Sequence, residues 1–283
     1  MHQNLPVKIN VLPARHGISW LVQSLVLLRA QTGRLLLLSL LLQLLLGMTR
    51  VPMIGLLIVI AMPALSAGLL QAFQLVAAGQ RPLTTTLFVP LAAGQRTGRL
   101  LGLGVVMFGV GILSVSLLLS GSEGMLDADL LARIEQGDME ALALIDPQLI
   151  MRMGIAVAVG VGLTGTLSFM AIPLLWFRGQ KLGTALISGM RALLVNWKPF
   201  TVLALALAAL LIPAALVVAI LFQVAGTAGI FSLVLMGLVV LIALAFQLAV
   251  FGTQYCSFRD IYGPDAALPE QGADRPDDTQ LLA

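Results

Sequence analysis

Residues that can do acid–base, nucleophilic or metal chemistry are few in this chain of 283 residues, and they lie in a few short stretches. Seven of the thirteen Asp and Glu residues lie within 120–147, and the other six lie at or after Asp260. Both histidines, His2 and His16, precede the first apolar helical pattern, and Cys256 is the sole cysteine. A catalytic base, a zinc site or a disulfide needs such groups in pairs or clusters. The sequence therefore predicts that the protein is not an enzyme and has no metal ion or other cofactor.

The composition is that of a polytopic membrane protein. Hydrophobic residues make up 59% of the chain, charged residues make up 10%, and the mean hydropathy is +1.02. A soluble domain has about 45–50% apolar and about 25% charged residues. The net charge of +3 is too small and too scattered for a nucleic-acid-binding surface. The length leaves room for about six spans of about 20 residues and for no separate soluble catalytic domain.

Apolar runs of helical length predict an all-α membrane domain over 1–262. The predicted transmembrane helices are 33–49, 51–70, 99–119, 149–177, 199–224 and 230–258. The acidic stretch 120–147 forms the long extracytoplasmic loop in this arrangement, and 127–143 is a candidate for a short polar helix within it. The tail 263–283 combines acidic residues with Pro and Gly, which predicts a disordered cytoplasmic segment.

Three amphipathic stretches precede the outgoing spans, at 18–28, 82–91 and 182–193. They predict helices in the membrane interface, although the first could instead be the lower half of a long first span. Thr-Gly-Arg-Leu-Leu occurs twice at the entry to a span, at 32–36 and at 97–101. These features predict three repeats of an interfacial helix followed by a helical hairpin. Chance similarity of leucine-rich boundaries is the alternative.

The distribution of Lys and Arg predicts the orientation. With Met1 inside, thirteen of the sixteen basic residues lie in cytoplasmic segments, and only Arg50, Arg133 and Arg152 lie on the far side. Because cytoplasmic loops carry the excess of basic residues, both termini are predicted to be cytoplasmic. The candidate contacts to lipid headgroups at this side are Arg15, His16, Arg29, Arg34, Arg81, Arg96, Arg99, Arg178, Lys181, Arg191 and Lys198.

Polar residues within the spans allow two interpretations. Hydrogen bonds that join helices are the more common use of such residues; the candidates are Gln43, Thr164, Thr166, Ser168, Gln223, Gln247 and Gln254. A transport path is the alternative, in which glutamines of several spans converge on a cavity near mid-span prolines. The residues that this path requires are Gln43, Gln223 and Gln247, with Pro63, Pro173 and Pro213.

Small residues predict which spans pack together. Gly154, Ala158, Gly162 and Thr166 recur every four residues in the fourth span. Glycines are also frequent in the third span, and small faces let helix backbones approach closely. We therefore expect the third and fourth spans to pack against each other, with this stripe at the contact. A pathway lined by glycines is the functional alternative.

Two motifs carry a family resemblance. Pro-Ala-Arg-His-Gly at 13–17 with Trp20-Leu21, and Pro-Ala-Leu-Ser-Ala-Gly at 63–68, resemble those of an uncharacterised family of proteobacterial six-span inner-membrane proteins. The general plan is more weakly similar to the membrane domains that accompany some glycerophosphodiester phosphodiesterases. The resemblance implies a bacterial inner-membrane location, and it brings no functional residues, because the acidic and histidine cluster of the phosphodiesterases has no counterpart here.

The sequence thus leads to the expectation of a non-enzymatic envelope scaffold or transport-associated protein that contacts anionic lipid. The expected partners are membrane lipids, with a membrane-protein partner or a second copy of the chain as further possibilities. The alternative is a transporter of a small molecule or a lipid.

Overall fold

The computed structural model describes residues 9–120, 146–225 and 229–263, and within them it contains α-helices, three short 3-10 turns and no strand. The loop helix proposed at 127–143 and the tail beyond residue 263 lie outside the described residues. The helices are α1 (His16–Ala30), α2 (Thr32–Gly47), α3 (Pro52–Ala77), α4 (Gln95–Leu119), α5 (Pro147–Phe177), α6 (Leu182–Val195), α7 (Trp197–Ala225) and α8 (Gly229–Tyr262).

The all-helical, polytopic architecture predicted from the sequence is confirmed. Five helices, α3, α4, α5, α7 and α8, are long and apolar enough to cross a membrane. The pair α1 and α2 supplies the sixth span only if it counts as one broken span, because the two helices meet at an angle of 101°. That bend lies at Gln31, between the predicted interfacial stretch 18–28 and the first predicted span.

The buried core lies at one end of the bundle, where α1, α4 and α7 begin and α3, α5 and α8 end. Every residue of 170–177 in α5 and of 252–258 in α8 is buried. A helix that is buried on every side is enclosed by its neighbours; here α8 packs on α1, α2, α3, α5 and α7. We call this region the basic end, because most of the described Lys and Arg residues lie there.

Close backbone contacts hold the basic end together. Gly252 of α8 faces α1, where a Cβ would overlap the Ser24 side chain and lie 3.0 Å from Phe73. Ser24 itself donates a hydrogen bond from Oγ to the Ala249 carbonyl, at 3.0 Å. At Gly104, α4 approaches α3 so closely that a Cβ would overlap the Ile60 carbonyl. These helices therefore depend on glycine at the contact, as small residues allow in membranes.

The opposite halves of the helices are far more exposed. In the most apolar 18-residue window of α7 only 6% of the residues are buried, and in that of α8 only 17% are. Large apolar side chains such as Leu205, Ile212 and Leu233 are more than 60% exposed. Because these surfaces are apolar, a hydrocarbon environment suits them and water does not.

The second amphipathic stretch is not the helix that the sequence predicted. Thr84–Leu87 and Val89–Leu91 form two 3-10 turns. Pro90 has no N–H to donate, which works against a continuous helix through this stretch. The stretch instead packs under α3, where a Cβ on Gly68 would overlap the Leu87 backbone. The second repeat unit therefore has turns where the first and third units have α1 and α6.

The helix ends also differ from the predicted span ends. The second predicted span, 51–70, extends to Ala77. The fourth, 149–177, begins at Pro147, where Asp146 accepts a hydrogen bond from the Gln148 N–H at 2.8 Å. The third, 99–119, begins earlier, at Gln95. The first, fifth and sixth spans agree with the prediction to within a few residues.

The third and fourth spans do pack together, as α4 on α5, but the predicted stripe is not the contact. Gly154, Ala158, Gly162 and Thr166 are all exposed. The contact uses the neighbouring face, where a Cβ on Gly160 would lie 3.6 Å from Ser114 of α4. A four-residue spacing identified an existing small face of α5 but could not identify which of two such faces meets α4.

Candidate functional site

Trp20 connects the first and last helices at the basic end. Its indole is fully buried in α1, and Nε1 donates a hydrogen bond to Asp260 Oδ2 at 3.0 Å. The Asp260 carboxylate also lies 3.5 Å from the guanidinium of Arg259. Arg259 in turn donates to Gln23 Oε1 at 2.6 Å. Asp260 is thus an acceptor within a network between α1 and α8.

Asn196 anchors the N-terminal segment at the junction of α6 and α7. Its side chain is fully buried, and its Oδ1 accepts a hydrogen bond from the Leu12 N–H at 2.8 Å. Its Nδ2 donates to the carbonyls of Asn10, at 3.1 Å, and Ala192, at 3.2 Å. Asn10 also donates its backbone N–H to the Ile261 carbonyl at 2.9 Å. The segment is therefore held between α8 and the α6–α7 junction.

His16, the one described histidine, packs within this region rather than beside an acid. Its ring lies edge-on to Trp20, with 6.5 Å between the ring centroids. Its Nδ1 is buried and has no hydrogen-bond partner among the described residues. Within the described parts of the chain, no group of three or more His, Cys, Asp and Glu residues is placed to hold a metal ion.

Two arginines at the start of α4 contact the end of α5. Arg96 donates to the Trp176 carbonyl at 3.3 Å. Arg99 donates to the Gly179 carbonyl and to that of Gln180 at 3.4 Å. The last carbonyls of a helix have no intrahelical partner, and a cation there is favourable. The Arg96 guanidinium therefore caps α5, whereas the Arg99 guanidinium binds the backbone just after it; both residues are half-buried.

Arg34 and Arg178 also donate to backbone carbonyls. Arg34 reaches the Pro82 carbonyl at 3.1 Å, between α2 and the segment that follows α3. Arg178 reaches the Tyr262 carbonyl at 3.0 Å, where α8 ends. Each of these contacts joins segments that are distant in sequence, so both residues have a structural role whatever else they bind.

The remaining basic residues of the predicted lipid-contact set point outward. They donate to no acceptor among the described residues, and each is exposed. Lys198 differs in lying 5.9 Å from the centre of the Trp197 ring, a cation–π contact. We call this set the free basic residues: Arg15, Arg29, Arg81, Lys181, Arg191 and Lys198. The sequence could not separate them from the arginines that bind carbonyls, because both groups lie at similar boundaries.

No protein-family model, curated protein or solved structure matches this chain. The family resemblance of the sequence motifs therefore stays a prediction. Trp20 and Pro63, which belong to those motifs, are both buried at the basic end. Both residues therefore serve in packing, and their burial indicates no chemical role for them.

Three glutamines in the spans join helices, as the hydrogen-bond interpretation predicted. Gln43 of α2 donates to Gln247 Oε1 of α8 at 2.8 Å, and Ser39 donates to the same oxygen at 3.1 Å. Gln254 donates to the Phe169 carbonyl of α5 at 2.7 Å. The side chain of Gln223 lies outside the described residues.

The three hydroxyl residues of α5 do not join helices. Thr164 and Thr166 donate to the Gly160 and Gly162 carbonyls of their own helix, and Ser168 donates to the Gly165 carbonyl. The prediction of interhelical bonds was wrong for these residues, because a hydroxyl reaches the carbonyl three or four residues earlier more readily than a neighbouring helix.

The mid-span prolines do not surround a common site. Pro63 and Pro173 are buried in the core, whereas Pro213 of α7 is exposed. The glutamine contact lies between α2 and α8, where Gln247 Oε1 accepts hydrogen bonds from both Ser39 and Gln43. These contacts favour the interpretation that the glutamines join α2 and α8 over the interpretation that they line a transport path.

Proposed function

We propose that this chain is a non-enzymatic inner-membrane protein that contacts anionic lipid through its basic end, as an envelope scaffold or a transport-associated protein. The observation that carries the proposal is the set of free basic residues, which are exposed and have no acidic partner among the described residues. Asp260, the only described acid at this end, is bound to Trp20 and Arg259. Each exposed basic residue near an anionic leaflet contributes about 1 kcal/mol.

The absence of an enzymatic role is part of the proposal. The described ionisable acids are Asp146, at the N-terminus of α5, and Asp260, within the α1–α8 network. His16 packs on Trp20 at the basic end. A base must lie within about 3 Å of the proton that it removes, and none of these groups adjoins a nucleophile in an open cleft. These placements support a binding role over catalysis.

We further propose that the basic end faces the cytoplasm. The excess of Lys and Arg at this end follows the positive-inside rule. The test is cysteine labelling in intact cells, with Cys256 replaced. Cysteines at Arg29 and Arg191, both exposed, should react with a membrane-impermeant thiol reagent only after permeabilisation, and one at Asp138 should react before it. Labelling of Arg29 or Arg191 from outside would overturn this orientation.

The lipid test uses the purified chain in vesicles or nanodiscs. Native mass spectrometry should show more phosphatidylglycerol than phosphatidylcholine retained from an equal mixture. Replacing Arg15, Arg29, Arg81 and Arg191 together with Gln should reduce that preference. Arg152→Gln, an exposed arginine in α5 away from the basic end, is the matched control and should not. Equal retention of both lipids by the native chain would refute the proposal.

The transporter remains the alternative prediction. Deletion of the gene, followed by comparison of envelope lipid composition and small-molecule uptake, distinguishes the two classes. A specific uptake defect that a Gln43→Ala or Gln247→Ala variant reproduces would favour transport.

A further inference from the structure

A groove between α5 and α6 opens on the surface near the basic end. It is shallow and largely open, with a volume of about 460 Å³. The lining residues are Leu167, Leu186, Ile187, Met190, Arg191 and Leu194. Five of them are apolar, and Arg191 lines the groove with the apolar part of its side chain only, so its permanently charged guanidinium lies beside the groove.

The groove is formed because α6 packs tightly on one side of α5. The small residues Ala185, Gly189 and Ala192 form the buried face of α6. A Cβ on Gly189 would lie 3.1 Å from Met170 Cβ of α5, so the two helices are in close contact there. The larger side chains beside this face extend past the contact. Ile187 is 73% exposed and Leu194 is 66% exposed.

Residues of both helices line the groove. Leu167 lies ten residues before Phe177, the last residue of α5. At 1.5 Å per residue, that places Leu167 about 15 Å from the end of the helix, toward the middle of the span. Arg191 lies on α6, the short helix at the basic end. A phospholipid has its charge at the interface and its chain directed inward, so we expect its phosphate at Arg191 and its chain toward Leu167.

Arg191 is available for such a ligand. The arginines that cap helix ends, Arg96 and Arg178, already donate to carbonyls. Arg191 donates to no acceptor among the described residues, although it lines the groove. A guanidinium binds a phosphate with two parallel hydrogen bonds, which makes it selective for an anionic headgroup.

We propose that this groove binds an anionic phospholipid, with one acyl chain along Leu167, Met190 and Leu194 and the phosphate at Arg191. The proposal rests on the proposed contact of the basic end with anionic lipid, and it assigns one specific position for that lipid. The same charge would also attract free phosphate, but phosphate alone makes no use of the apolar lining.

The test is photo-crosslinking to the full-length protein in nanodiscs. The probe is phosphatidylglycerol with a diazirine in one acyl chain, and mass spectrometry identifies the labelled peptides. The native chain should be labelled at 186–194 and near Leu167. Arg191→Gln should weaken this labelling about five- to tenfold, the effect of losing about one headgroup contact. Leu167→Trp, which fills the groove, should weaken it too.

The matched control is Arg152→Gln, which removes an exposed arginine from the other end of α5, away from the groove and outside the free basic residues, and should leave the labelling unchanged. Far-ultraviolet circular dichroism and thermal unfolding establish that each variant is folded. A phosphatidylcholine probe with the same diazirine should label the groove less than phosphatidylglycerol does. Excess inorganic phosphate should not displace the phosphatidylglycerol probe.

Three outcomes would overturn the groove site. Labelling could be the same in Arg191→Gln as in the native chain, it could fall equally in Arg152→Gln, or inorganic phosphate could displace the probe. In each case an overall preference for phosphatidylglycerol would leave the proposed function standing. Loss of that overall preference in the native chain would refute both proposals.

Discussion

Replacing Asn196 with Ala should release the N-terminal segment from the α6–α7 junction. Two of the side-chain hydrogen bonds, to the Leu12 N–H and the Asn10 carbonyl, reach across more than 180 residues of sequence. The third partner, the Ala192 carbonyl, keeps a bond from the Asn196 backbone N–H at 3.1 Å, so its loss costs little. Each long-range bond contributes about 0.5–1.5 kcal/mol net.

The two bonds together give an expected loss of about 1–3 kcal/mol for local opening of the segment. Amide exchange at Leu12 should accordingly accelerate by about 5- to 150-fold. The effect should be smaller at Asn10, because its N–H still donates to the Ile261 carbonyl. Hydrogen exchange of peptides covering residues 9–14, followed by mass spectrometry, measures both.

Thr201→Ala is the matched control. Thr201 lies five residues further on, is exposed, and donates only to the Trp197 carbonyl of its own helix. It should leave exchange in the segment unchanged. If Asn196→Ala also leaves Leu12 exchange at the native rate, the buried amide does not hold the segment, and the network that we describe between α6, α7 and α8 is wrong.

Two further substitutions test the packing of the basic end. Trp20→Phe keeps a ring beside Phe200 but deletes the hydrogen-bond donor to Asp260. The free energy of unfolding, measured by titration with sodium dodecyl sulfate, should therefore fall by about 1–3 kcal/mol. An unchanged value would mean that water replaces the indole N–H as donor at no cost. Gly104→Leu should separate α4 from α3 and lower thermal stability, whereas Gly109→Leu, which has nothing within 4 Å of its Cβ position, should be tolerated; equal effects of the two would contradict the close contact at Ile60.

The helices themselves could be predicted because each depends on local pattern. Runs of apolar residues at helical spacing located the five helices that are long enough to cross a membrane and the bent pair α1 and α2. The exact ends could not be predicted in the same way. Arg96 was expected to precede the third span and Arg99 to begin it, yet both lie within the first turns of α4. Their charges are tolerated there because carbonyls at the end of α5 and just after it accept their hydrogen bonds.

The second amphipathic stretch shows a different limit. Its hydrophobic spacing was helical, but its backbone forms 3-10 turns that fit under Gly68. Pro90 was visible in the sequence and was a sufficient signal against a continuous helix. Here the backbone conformation follows from the missing N–H of Pro90, although the apolar side chains have helical spacing.

The long-range contacts at the basic end could not be predicted from spacing at all. Trp20 and Asp260 are 240 residues apart, and Leu12 and Asn196 are 184 apart. A weak signal existed for Asp260, which is the first acid after Asp146 and lies two residues beyond the end of the sixth predicted span. Such a residue needs a partner when it is partly buried. The partner itself becomes known only from the fold.

The two classes of arginine explain how one end of the bundle can be both packed and charged. A guanidinium that donates to the last carbonyls of a helix, as Arg96 and Arg178 do, satisfies groups that would otherwise be unpaired in the core. Its interaction acts over a short distance and is little affected by salt. An exposed guanidinium such as that of Arg29 or Arg191 acts through solvent, where salt screens it over about 8–10 Å. Raising the ionic strength should therefore weaken lipid retention at the basic end while leaving its packing intact. The binding of anionic lipid and the stability of the fold can thus be measured separately.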